Sequence, residues 1–290
     1  MEGASVVFVR RSIERVVRNL PTLPTAVARV VEEADRQDPS AARMEGYIQR
    51  DPALTAQILR VVNSAYYGLS GQVSSVGQAI VILGMQQVRN LALSVGAIGT
   101  LAGRSPGEIE TARRFWRHAA AVTAGIREIS DRVPMPAAEA DALRIAGLIH
   151  DLGRLCVMCS FQELYETVLA CAEEEKVPVE VAEARVMGLT HAEVGRQIAE
   201  HWKLPPLLVE LIGRHEGPFT ASDTPGLFVL NATDTLSKAG YFPERELELP
   251  EVSPVVLGRL GLTAEDAVTL SQIMDERAAE AEASFGLQAA

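Results

Sequence analysis

The stretch Ile145-Ala146-Gly147-Leu148-Ile149-His150-Asp151-Leu152-Gly153-Arg154-Leu155 decides how the chain reads. An imidazole and a carboxylate stand side by side in a run that is otherwise apolar up to Arg154. A carboxylate in such a setting is costly unless it is paired, hydrogen-bonded or metal-bound. The pattern around it has the length and period of a helix, and predicts one over 137–157.

Working outward, period-3.6 patterns dominate and period-2 alternation is scarce, so the fold class is all-α. Ala26, Val27, Val30, Val31 and Ala34 form one stripe, preceded by Leu20-Pro21-Thr22-Leu23-Pro24. Asp51-Pro52 supplies an N-cap followed by proline at the first helical position. The helix it opens carries Leu54, Ile58, Leu59 and Val62 toward Tyr66 and stops at Gly68. A short helix is expected over 77–83 and a longer one over 86–101. Gly103-Arg104-Ser105-Pro106-Gly107 is the clearest internal breaker. Beyond it, helices are expected over 109–129, 191–202, 206–214 and 226–239. The one at 191 is announced by the capping box Thr190-His191-Ala192-Glu193. Tyr241 to Pro254 reads as a linker, and the last helix, from Thr263 to Glu282, carries alternating charges that read as a solvated face.

The chain has 290 residues and a formal net charge of −11, which opposes nucleic acid or an anionic membrane as the main partner. The N-terminus is acidic and its apolar run ends at Arg10-Arg11, unlike a secretory signal. The longest apolar stretch, Leu91 to Gly103, falls short of the roughly 20 residues of a spanning helix and reads as a core helix. Three cysteines, an odd number, fit a reduced, cytoplasmic protein. Cys156 and Cys159 read as two thiols on one helix turn rather than a redox or zinc pair.

Histidine is scarce and unevenly placed. All five lie between His118 and His215, namely His118, His150, His191, His201 and His215. His118 shares the apolar stripe Phe115, Val122, Ile126 and Ile129. Asp234 points where Leu227 and Leu230 point. Two imidazoles and two carboxylates on buried faces, His118, His150, Asp151 and Asp234, fit a divalent cation such as Mn, Fe, Zn or Mg. The alternative is a set of separate core histidines with a buried Asp paired to an Arg. It suits each residue alone, whereas the set together favours the metal. His201 falls outside any such cluster: ten residues after His191 on one helix, it lies about 15 Å further along. Trp202 shares the face of His191 and is expected in the core.

The order His118, His150-Asp151, Asp234 resembles the HD superfamily of metal-dependent phosphohydrolases. Leu20-Pro21-Thr22-Leu23-Pro24, Asp51-Pro52-Ala53-Leu54, Val62-Asn63-Ser64-Ala65-Tyr66, Gly77-Gln78-Ala79-Ile80 and Leu83-Gly84-Met85 with Val88-Arg89 look like an HDOD domain. His191-Ala192-Glu193-Val194-Gly195 and Trp202-Lys203-Leu204-Pro205 continue it, so the likeness covers about residues 15–240. It implies an all-helical signalling module with an N-terminal helical lobe (1–105), an HD-like metal-binding lobe (106–242), and a linker with a C-terminal helix (243–290). By this resemblance His118, His150, Asp151 and Asp234 would hold one metal. His191 and His215 match the extra histidines of dinuclear HD phosphodiesterases, in which Asp151 would bridge two ions. Arg154, one turn after Asp151, would pair with a phosphate, and Asp151 and Arg154 would be the catalytic residues. Glu216 would be an extra ligand or base. The Gly-Tyr-Pro segment of HD-GYP phosphodiesterases is absent, since Glu216-Gly217-Pro218-Phe219 follows His215. Cyclic dinucleotide hydrolysis of that type is therefore not expected. Two functions remain: a phosphoester or nucleotide hydrolase inside a regulatory protein, and a non-catalytic scaffold that binds signalling partners or a nucleotide-type ligand. The oligomeric state stays open, with a homodimer one option. Asn63, Ser64, Tyr66 and Tyr67 read as packing and stay outside the site.

Overall fold

The computed structural model describes residues 2–63, 67, 69, 71–101, 105–130, 132–220, 222–238, 241–242, 245–247 and 251–285. Among them the secondary structure is helical, without a strand. The helices are α1 (Glu2–Arg18), α2 (Thr25–Ala34), α3 (Ala41–Gln49), α4 (Pro52–Val62), α5 (Val76–Leu83), α6 (Met85–Leu101), α7 (Pro106–Ser130) and α8 (Ala137–Ile149). They continue with α9 (Leu152–Ser160), α10 (Gln162–Glu175), α11 (Val179–Met187), α12 (His191–His201), α13 (Pro206–Arg214), α14 (Pro225–Ser237), α15 (Pro254–Leu260) and α16 (Ala264–Phe285).

The local signals act as their chemistry requires. The Asp51 side chain accepts from the Leu54 amide at 3.0 Å, with Pro52 at the first helical position of α4. Thr190 accepts from the Glu193 amide while the Glu193 carboxylate accepts from the Thr190 amide at 2.8 Å, closing the capping box of α12. α4 ends at Val62, earlier than its apolar pattern suggests. The Asn63 amide explains the stop: it donates to Leu59 O and Val73 O and accepts from Val73 N, all within 2.8 Å. Tyr66 and Gly68, where the helix was expected to end, lie outside the described residues, as do Ser64, Ala65, Gly103 and Arg104.

The expected single helix over 137–157 is two helices, α8 and α9, with the break at His150-Asp151. His150 still has helical dihedrals (φ −56°, ψ −34°), whereas Asp151 moves to φ −91°, ψ 16°. Neighbours on a continuous helix point about 100° apart. The break lets both side chains project into one centre, and apolar periodicity carries no mark of it.

α2 packs on α3 and α6, and α4 on α5 and α6. The long α7 lies against α8, α9, α14 and α16, and α12 fits between α9 and α13. α6 reaches α8 and α9 and joins the two groups. α1 runs across to α11 and α12, where Arg10 donates to Gly188 O. One face of α16 is solvated, as its charges suggest, but Ala267, Leu270, Met274 and Ala278 are buried on the other. The segment expected as a linker opens with buried Tyr241 and Phe242, and α15 begins at its last residue, Pro254. No described helix is long and apolar enough to cross a membrane.

Candidate metal centre

Six helices and their ends bring the chemistry together. α7 supplies His118, the α8–α9 break supplies His150 and Asp151, α12 opens with His191, His215 caps the end of α13, and α14 supplies Asp234. All six side chains are buried, none more than 3% exposed. His118 Nε2 lies 3.1 Å from both His150 Nε2 and Asp234 Oδ1, and 3.6 Å from Asp151 Oδ2. His191 Nε2 lies 3.1 Å from His215 Nε2 and 3.2 Å from Asp151 Oδ1. Asp151 thus belongs to two overlapping groups, one with His118, His150 and Asp234, the other with His191 and His215.

The outer bonds of the rings set their direction. Ser237 donates its hydroxyl proton to Asp234 O, so its oxygen accepts from His118 Nδ1 at 3.1 Å. His215 Nδ1 donates to Ile212 O at 2.8 Å, and His191 Nδ1 to Glu183 Oε2 at 2.6 Å. With Nδ1 carrying the hydrogen, these three rings turn their Nε2 lone pairs inward. Acceptor then faces acceptor, with carboxylates alongside, an arrangement that calls for a cation between them. Asp151 Oδ1 and Asp234 Oδ2 are also buried without a hydrogen-bond partner. The donor set, imidazole nitrogen and carboxylate oxygen, fits a divalent ion.

Charge points the same way. Among the described residues, Asp151, Asp234, Glu183, Glu216 and Glu180 are opposed by only Arg154 and Lys238. With neutral imidazoles, three negative charges remain to be balanced. Burial drives His215 down to about 4, which keeps it neutral and able to ligate. Burial and Arg154 also push His191 down, yet Glu183 and Asp151 outweigh them and raise it well above the ordinary value. A proton there stands where a bound cation would otherwise act. Burial pushes Asp151 up, but Arg154, His150 and His191 together hold it well below the carboxylate range.

Arg154 is turned inward. Its Nη1 donates to Asp151 Oδ2 at 2.7 Å, its Nη2 lies over the His191 ring, and its guanidinium carbon is 5.0 Å from the Tyr241 ring centre. Glu216 faces His191 Nε2 at 3.3 Å and accepts from Lys238 Nζ at 2.8 Å. His201 stands apart, donating to Leu20 O at 3.0 Å, and Trp202 is buried with its indole donating to Pro21 O. Cys156, Cys159 and Cys171 are free thiols, and burial pushes Cys156 up to about 11.

Sequence reading missed four supporting residues. Glu183, on α11, holds His191 and accepts from the Tyr165 hydroxyl at 2.9 Å. Lys238, four residues after Asp234, approaches its Oδ2 at 3.5 Å. Ser237 holds His118. Tyr241, 1% exposed, closes over His118 with ring centres 4.8 Å apart. Only Lys238 left a signal, the i,i+4 spacing from Asp234.

The HDOD domain family matches residues 20–218 of the chain. An uncharacterized protein of Treponema pallidum (strain Nichols) is 24% identical over 204 residues, which cover 70% of this chain and 39% of that protein. The chain thus spans about two fifths of that relative's length. Among solved structures, the chain is similar to a "Putative phosphohydrolase" from Shewanella amazonensis SB2B, with TM-score 0.71, 20% identity, and 95% and 98% of the two chains covered. It is also similar to an HDOD domain protein with unknown function from Geobacter sulfurreducens, with TM-score 0.69, 22% identity, and 97% and 99% covered. These likenesses carry the fold.

Proposed function

The chain belongs to the HDOD family, and from that membership and its buried centre we propose a regulatory protein that retains a metal-dependent phosphoester hydrolase site. One observation carries the reading: four imidazoles and two carboxylates converge, with three Nε2 atoms held inward by outer hydrogen bonds. A structural neighbour named "Putative phosphohydrolase" supports it. His118, His150, Asp151 and Asp234 would hold one ion, and Asp151, His191 and His215 a second. Bound divalent metal supplies Lewis acidity and a hydroxide at neutral pH. The chain's own residues do the rest. Glu183, Ser237 and Ile212 O fix the tautomers, Arg154 aims Asp151, and Lys238 holds Glu216 beside the His191 and His215 rings. Protein loaded with Mn²⁺ or Fe²⁺ is expected to turn over phosphomonoesters or diesters, and Asp151→Ala to abolish that turnover. Activity surviving Asp151→Ala, or none in the loaded wild type, would sink the hydrolase reading.

A second reading has its own observation. Every proposed ligand is buried and Tyr241 covers the centre, which suits a metal that holds α7, α8, α9, α12 and α14 together inside a non-catalytic signalling module. In that case the loaded protein shows no turnover, yet removing the metal lowers its melting temperature.

A further inference from the structure

A second polar site lies away from the metal centre, between α6 and the α7–α8 pair. It is a cleft of about 330 Å³ whose polar lining is Tyr67, Gln87, Thr123, Arg127, Ser130 and Arg144. The chain carries 38 acidic against 27 basic residues, yet among the described residues no carboxylate lines this cleft. Arg127 makes no ion pair among the described residues. Arg144 gives one donor, Nη1, to the exposed Asp141 at 2.7 Å and keeps the rest of its fork. Two guanidinium groups with spare donors in one concave site are suited to a phosphate group.

The hydroxyls add a second requirement. Thr123 donates to Ala119 O and Ser130 to Ile126 O, so toward the cleft their oxygens can only accept. A matched ligand therefore carries an anionic group and also hydroxyl or amino donors. The volume is at the lower end for small-molecule sites and suits a monophosphate better than a dinucleotide. We propose that this cleft binds a small phosphate monoester bearing hydroxyl or amino groups, a nucleoside or sugar monophosphate. Its walls belong to the helices that carry His118 and His150. A Cβ on Gly147 of α8 would lie 2.6 Å from Ile126 Cδ1 and 3.0 Å from Thr123 Oγ1, so α7 and α8 are in close contact beside the cleft.

The test is calorimetric titration of the full chain with GMP and with ribose 5-phosphate. Wild type is compared with Arg127→Ala and with the Arg127→Ala/Arg144→Ala pair, metal content being measured in each. Saturable binding of at least one ester is expected, weakened by about tenfold or more in the double variant at unchanged metal content. Which ester binds tells the nucleoside source from the sugar source. Absence of saturable binding for both esters overturns the proposal. So does binding that both variants leave intact, because the ester would then sit outside this cleft. Arg127→Ala breaks no ion pair, so it keeps the measurement readable if the double variant fails to fold.

Discussion

At His191 a single ring answers to three carboxylates, Glu183 at Nδ1 and Asp151 and Glu216 at Nε2. The Glu183 bond fixes which nitrogen faces the centre, and the same carboxylate accepts from the His191 amide at 2.8 Å. Glu183→Gln keeps the shape but offers a weaker acceptor and can flip. We expect metal affinity to fall by about 10–100-fold, read by competition with a chromophoric chelator. An affinity unchanged within error would show that His191 needs no outer partner. His118, His150, Asp151 and Asp234 were legible as residues because polar groups on apolar faces stand out. Glu183 was not, since it lies on another helix and no spacing ties it to His191.

Among the elements, the contact of α9 with α12 is the tightest constraint on the centre. A Cβ on Gly153 would lie 2.0 Å from His191 O and 2.4 Å from Gly195 N, both backbone atoms that cannot yield without moving a helix. Asp151 and His191 ride on those two helices. Gly153→Ala should therefore cost about 3 kcal/mol. Calorimetry should show this as a Tm drop of roughly 5 °C, with less metal retained on purification. A Tm within a degree of wild type would mean the helices separate freely. The element scale is also where sequence reading erred. Apolar periodicity runs through 137–157 without interruption, but the chain bends at His150-Asp151 so that two adjacent side chains can share one target.

Over the whole molecule, the centre is closed. The packing of α7, α8, α9, α12, α13 and α14 buries every proposed ligand, and Tyr241 covers His118, its hydroxyl without a hydrogen-bond partner among the described residues. A metal held there would leave only through a local opening. Tyr241→Ala removes the covering ring, and extraction of the metal by EDTA should quicken by about tenfold for each ~1.4 kcal/mol taken off the opening cost. An unchanged rate would place the exit elsewhere. The sequence by itself determined the helical class, most helix starts and the acidic balance, and it singled out His118, His150, Asp151 and Asp234 as polar groups on apolar faces, whereas His191 and His215 entered through the family resemblance. What the sequence determined follows from chemistry within a few neighbouring positions: caps, apolar period, a carboxylate among leucines. Only the tertiary structure decided the α8–α9 break, the outer partners Glu183 and Ser237, the inward turn of Arg154, the cover over the centre and the arginine-lined cleft. Those depend on which helices meet, and helix packing joins residues that lie far apart in the chain.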